Sequence, residues 1–215
     1  MTGKLVLALA GSLGFFGDVL FANDKFEMVK DKPKIIIQDV NYTGSGCPLG
    51  SASLYSSNDA QSFILQLEQA DVEAGPDVSI RERLKSCFVS IENRTDSKWQ
   101  FAIRSVSIMG YLYLEEGMVF RSRASYYFGT GPQTSVSIKH ESPIDDYIAV
   151  KDFIPLEGLQ WSPCGVSRNL NLQVSYRINH KNRRDFPDAS GFFDPATVGS
   201  MNESFGFELL WRSCD

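Results

Sequence analysis

Arg168-Asn169-Leu170-Asn171-Leu172-Gln173-Val174-Ser175-Tyr176-Arg177-Ile178 is the stretch that decides the fold. Leu170, Leu172, Val174, Tyr176 and Ile178 fall on one side of an extended chain, and Asn169, Asn171, Gln173, Ser175 and Arg177 on the other. Side chains alternate across a strand, so this period of two marks a strand with one face on a core and one in water. The pattern returns near the C-terminus in Phe205, Phe207, Leu209 and Trp211. It returns again after Gly117, where Met118, Phe120, Ala124, Tyr126 and Phe128 point inward and Arg121, Arg123 and Ser125 outward.

Weaker alternation marks residues 35–42, 63–67, 87–91, 136–140 and 147–150. Trp99, Phe101 and Ile103 follow one parity and Val106 and Ile108 the other, so a β-bulge is expected near Arg104-Ser105. The segments 110–116 and 118–128, joined around Gly117, read as a hairpin. Helical spacing is scarce, and a short charged turn at residues 79–84 is the candidate. The pattern predicts an all-β, antiparallel two-sheet β-sandwich, jelly-roll-like, forming one domain over residues 35–215. Residues 180–199, basic at the start and carrying Pro187 and Pro195, read as a long irregular loop, and such loops are functional or disordered.

The N-terminus has its own grammar. Lys4 precedes an apolar run from Leu5 to Gly17 that stops at Asp18, short of the roughly 20 residues a membrane span needs. A cleaved signal peptide over residues 1–22 is expected, followed by a spacer over residues 23–34. An uncleaved anchor is opposed by the charge of Asp18. The formal net charge of −5 survives cleavage, because Lys4 and Asp18 leave together. The expectation is a secreted, extracellular monomer with no membrane association after cleavage and no electrostatic reason to bind nucleic acid. Three glycosylation sequons, at Asn41, Asn93 and Asn202, fit that compartment. Asn93 and Asn202, in turn-like settings, are the favoured acceptors.

Four cysteines in a secreted chain read as two disulfides. Cys47 and Cys164 each sit beside proline and glycine, whereas Cys87 and Cys214 border strands. Pairing neighbours gives Cys47–Cys87 and Cys164–Cys214, the preferred one of three connectivities, each bridge stabilising by about 4 kcal/mol. Zinc would want closely spaced ligand pairs, and none occur.

No catalytic constellation stands out, and no metal or cofactor is expected. His140 reads as a strand residue and His180 as a solvated loop residue; no nucleophile elbow is present. A glycan-directed hydrolase needs only two carboxylates, which Glu115, Glu116, Asp145 and Asp146 offer. Glu115 and Glu116 sit at a turn, and Asp145, Asp146 and Asp152 flank a strand without calcium-loop spacing. Tyr111, Tyr113 and Tyr127 lie opposite the more apolar faces, where exposed rings stack on sugars. Arg183-Arg184 reads as a processing site, a basic contact or a solvated loop.

Gly46-Cys47-Pro48-Leu49-Gly50, Arg83-Leu84-Lys85-Ser86-Cys87, Tyr126-Tyr127-Phe128, Trp161-Ser162-Pro163-Cys164-Gly165 and Trp211-Arg212-Ser213-Cys214 follow one another in order. Together they resemble a family of small secreted fungal proteins known as domain of unknown function 4360. The resemblance spans essentially the whole mature chain. It implies a secreted β-rich domain with the two bridges above, and it carries no established activity and no catalytic residues. The loop between His180 and Asn202 is longer and more basic than the family pattern. The expected function is a non-enzymatic binding or surface protein whose partner is cell-wall or host polysaccharide, or an extracellular protein. The alternatives are a secreted hydrolase and an effector or inhibitor acting through residues 180–199.

Overall fold

The computed structural model describes residues 33–59, 61–195 and 205–214. The expected leader, most of the spacer and the Asn202 sequon lie outside them. Within them run twelve strands and a 3-10 turn at Leu156–Gly158. The five-stranded sheet is ordered β1 (Ile35–Thr43), β5 (Leu84–Thr95), β10 (Leu170–His180), β7 (Met118–Phe128) and β8 (Thr134–Glu141). The seven-stranded sheet contains β2 (Ala52–Ser56), β3 (Ser62–Leu67), β4 (Val72–Ala74), β6 (Trp99–Leu114), β9 (Ile144–Phe153), β11 (Gly191–Asp194) and β12 (Phe205–Ser213). Every pairing is antiparallel.

The stretch that announces the fold is β10, the central strand of the smaller sheet, between β5 and β7. Its apolar side chains Leu170, Leu172, Val174, Tyr176 and Ile178 are fully enclosed. The two sheets meet through rings. Tyr176 and Phe120 of the five-stranded sheet pack on Phe193 at 4.8 and 4.5 Å between centroids, and Tyr176 stacks on Phe205 at 4.8 Å. Phe63 and Phe207 continue the layer at 4.9 Å. Each such pair adds about 0.5–1.5 kcal/mol to its area burial.

The longest strand, β6, organises the larger sheet. Ser105 to Ile108 pair with both β9 and β12, and Tyr111 to Leu114 with both β9 and β11. One edge of β6 therefore holds β9, and the other holds β12 and β11 in succession. The register slips between Glu208 and Leu209, leaving Arg104 as the extra residue. That bulge sits where the parity of the sequence flips.

Four local expectations are corrected. Segments 110–116 and 118–128 are not a hairpin, because β6 and β7 lie in different sheets and do not pair. Gly117 instead turns a corner between sheets: its φ is +88°, and the Met118 amide donates to the Glu115 carbonyl at 3.1 Å. Residues 79–84 form no helix; they make a turn with Glu82 N–H on Ser79 O at 3.1 Å, and Leu84 already begins β5. The loop after His180 is ordered in its described part, with Phe186 seated against Gly117 and residues 191–194 forming β11. His180 is the last residue of β10, half-buried, with Nε2 enclosed and unpartnered. Its inward parity, set by Tyr176 and Ile178, keeps it from solvent.

Both bridges take the sequential pairing. Cys47 joins Cys87 with Cα atoms 5.4 Å apart, and Cys164 joins Cys214 at 5.7 Å. The first ties a loop to β5 in the smaller sheet, and the second ties the segment before β10 to the end of β12 in the larger one.

Candidate ligand-binding surface

Alternation along β6 buries Leu112 and Leu114 and turns Tyr111 and Tyr113 to the outer face of the seven-stranded sheet. The neighbouring β9 sets Tyr147 opposite Tyr111 and Asp145 opposite Tyr113, on the same face. Tyr147 is 57% exposed, and the Tyr111 ring meets it edge-on at 5.3 Å between centroids. The Tyr111 hydroxyl donates to Asp145. The Tyr113 hydroxyl donates to Glu115 Oε1 at 2.9 Å. Glu115 Oε2 in turn accepts from the Ser190 amide at 2.7 Å and the Ser190 hydroxyl at 3.1 Å.

These bonds bias the titration of the three groups that make them. Donation to Asp145 raises the Tyr111 phenol above its ordinary range, and donation to Glu115 does the same for Tyr113. The Ser190 amide, then the Tyr113 and Ser190 hydroxyls, hold the Glu115 carboxyl below its usual range. Both phenols stay neutral donors with rings set at fixed angles. Further along β9, Phe153 is 53% exposed beneath Arg104 and Lys151, each 5.4 Å from its centroid. Lys151 pairs with Glu208, which also accepts from the Ser105 hydroxyl at 2.7 Å.

The expected site residues divide. Tyr111 and Tyr113 come together with Asp145, Glu115 and Tyr147. Tyr127 lies on the outer face of the other sheet, opposite Asn171 of β10. Alternation distinguishes in from out but carries no label for which sheet a strand joins. Among the carboxylates, Asp145 and Asp146 are consecutive on β9 and face opposite sides of it. Asp146 accepts from the Tyr147 amide at 2.7 Å. Glu115 shifts in the wrong direction for a general acid, which needs a raised pKa. Among the described residues no group of three or more His, Cys, Asp or Glu converges on a metal position.

Asn93, one of the expected glycan acceptors, lies inside the fold. It is 4% exposed, on the core parity of β5 with Cys87, Val89 and Ile91, and its Nδ2 donates to Ile91 O at 3.3 Å and Arg168 O at 3.1 Å. Asn41 is exposed on edge strand β1, its amide donating to Asp39 at 2.8 Å.

A cavity of about 320 Å³ escaped sequence reasoning. It lies where β7 ends and the segment before β10 passes, lined by Phe128, Pro132, Gln160, Trp161 and Arg168 among others. The Arg212 guanidinium covers the Trp161 ring at 4.0 Å from its centroid. The signal was Trp161 itself, read only as the setting of Cys164.

Comparison with known proteins places the chain. The family described as a domain of unknown function, number 4360, matches residues 33–214. An uncharacterized secreted protein of Arthroderma benhamiae is 33% identical over 187 residues, covering 86% of this chain and 74% of that protein. Among solved structures, the carbohydrate-binding module TmCBM61 in complex with β-1,4-galactotriose is 9% identical with a TM-score of 0.29, over 81% of this chain and 89% of that one. A family 11 carbohydrate-binding module from Clostridium thermocellum, bound to a mixed-linked tetrasaccharide, is 10% identical with a TM-score of 0.22, over 86% and 92%. Scores this low say nothing about ligand. The match over residues 33–214 does decide membership: the chain is a secreted, disulfide-bonded β-sandwich protein of the family called domain of unknown function 4360.

Proposed function

We propose that the protein is a non-enzymatic carbohydrate-binding protein that lays a neutral polysaccharide of a cell wall or host surface across the outer face of its seven-stranded sheet. One observation carries the reading: Tyr147 is 57% exposed and is held at a fixed angle by Tyr111, whose hydroxyl is itself tethered to Asp145. Rings immobilised before the ligand arrives lose little freedom on binding and offer an apolar face to a sugar. Asp145, held at the edge of that pair, supplies an acceptor for sugar hydroxyls. The carboxylates of Asp145 and Glu115 on this face favour a neutral polymer over an acidic one.

The same reading makes residues 35–215 one ligand-binding unit, acting as a monomer once a leader ending at Ala22 is removed. A glycan at Asn41, on edge strand β1 of the five-stranded sheet, would lie off the tyrosine face. The test is retention on insoluble neutral polysaccharides, β-glucan, galactan, mannan and chitin, with the wild type and with Tyr111→Ala and Tyr147→Ala. Retention on at least one polymer, lost in both variants while each still melts cooperatively within about 4 °C of the wild type, supports the reading. Failure of the wild type to bind any of them sinks it.

A further inference from the structure

The outer face of the five-stranded sheet carries a row of like charges. Arg177 of β10 stands directly opposite Arg121 of β7, and Arg121 directly opposite Lys139 of β8. All three are exposed, on three successive strands, and Arg123 adds a fourth cation two residues along β7. Opposed side chains on neighbouring strands lie about 4.5–5.5 Å apart at Cβ, where like charges destabilise the sheet. The chain is not short of acids, with a net charge of −5. Yet among the described residues no carboxylate pairs with Arg121, Arg123 or Arg177. Their contacts are neutral: Arg123 donates to Ser135 Oγ at 3.3 Å and Arg177 to Asn179 Oδ1 at 3.1 Å. Glu141 pairs with Lys139 but is shared with Lys181, so that end of the row keeps a positive excess.

The surface around the row is a pavement of small polar groups. Ser175 of β10 lies opposite Arg123 of β7, which lies opposite Ser137 of β8; Gln173 and Ser135 flank them at the surface, with Ser125 of β7 buried between the two. Hydroxyls and amides at strand spacing match the hydroxyls of a sugar chain. We propose that this face binds a linear polyuronate, whose successive carboxylates sit on Arg177, Arg121 and Lys139. Neighbouring strands are about 4.8 Å apart, comparable with the length of one sugar unit. A chain crossing the strands therefore meets one cation per residue. Arginine forks take carboxylates bidentately, which a diffuse surface charge does not. The occupied site relieves the repulsion that the free sheet tolerates. The inference is independent of the tyrosine face, which lies on the other side of the sandwich and would repel the same polymer.

The test uses the mature disulfide-bonded protein and oligogalacturonate long enough to span three strands, titrated calorimetrically between about 50 and 300 mM NaCl. The wild type binds, more weakly as salt rises. Arg121→Ser with Arg177→Ser weakens binding at least about tenfold while raising Tm by about 2 °C, because the repulsion is gone. Tyr147→Ala binds oligogalacturonate like the wild type, which separates this site from the neutral-glycan face. The inference is overturned by absent binding, by unchanged binding in the double variant, or by a fall in its Tm. Dextran sulfate or single-stranded DNA held as tightly as oligogalacturonate overturns it too, showing a generic polyanion patch.

Discussion

The two outer faces of the sandwich are built by the same rule and end in opposite states. On the seven-stranded sheet the polar groups satisfy one another: Tyr111 with Asp145, Tyr113 with Glu115, Glu115 with Ser190, Lys151 with Glu208. On the five-stranded sheet Arg177, Arg121 and Lys139 crowd together with one shared acid at the margin. A face whose groups are mutually occupied presents rigid rings and little net demand for a counter-charge. A face whose charges repel is incomplete until something neutralises it. Under the two proposals above, the difference separates two kinds of recognition on one scaffold, shape and stacking against charge.

The largest test of that separation is the bridge under the charged face. Replacing Cys47 and Cys87 by serine should cost about 4 kcal/mol of stability by chemical denaturation. Hydrogen exchange should show β5 and β10 opening before β6 and β12, and equal loosening of both sheets would break the comparison. Next is Gly117→Ala. A Cβ there would meet the Phe186 ring at 2.3 Å in a backbone at φ +88°. The loss should be about 2 kcal/mol. Binding on the tyrosine face should weaken with it, because the displaced loop carries Ser190, the partner of Glu115; oligogalacturonate binding should not. Third, Tyr147→Ala should lower affinity for the retained neutral glycan about tenfold, near 1.4 kcal/mol, with Tm lowered by no more than about 4 °C.

The smallest effect is electrostatic. Hydrogen bonds from Lys139 and Lys181 hold the exposed Glu141 carboxyl down at about 2. A carboxylate with a depressed pKa adds stability above its unfolded value of about 4.3 and loses it as pH falls through the folded one. The wild-type Tm should therefore drop more steeply than that of Glu141→Gln between about pH 4.5 and 2, the two converging at the acid end. Solvent screening keeps the gap to about 1–2 °C. Parallel curves would remove Glu141 from the balance of the charged face.

Much of this was legible in the alternation of side chains. Leu170 to Ile178 announced a strand and its buried face, and the parity flip at Arg104 announced the bulge. What alternation lacks is a sheet label. Tyr111 and Tyr127 are both outward residues of adjacent strands, yet Gly117 sends those strands to different sheets, because a corner and a hairpin use the same turn chemistry. Asn93 looked like a turn residue because its neighbours are polar, while its parity with Val89 and Ile91 already placed it inside. Tyr147 was missed as Tyr111's partner because pairing of β6 with β9 is a long-range choice between strands separated by two others in sequence. The Arg177–Arg121–Lys139 row is likewise invisible until register brings three segments side by side.

The two bridges enclose separate stretches of chain, 47 to 87 and 164 to 214. The exposed pair Arg183-Arg184 lies inside the second. A protease cutting there opens a covalent ring instead of releasing a tail, because β11 and β12 remain joined to the rest through Cys164 and Cys214. A cut between residues 88 and 163, outside both rings, would leave two pieces with no covalent link. At this exposed dibasic pair, nicking would change connectivity and shed no mass.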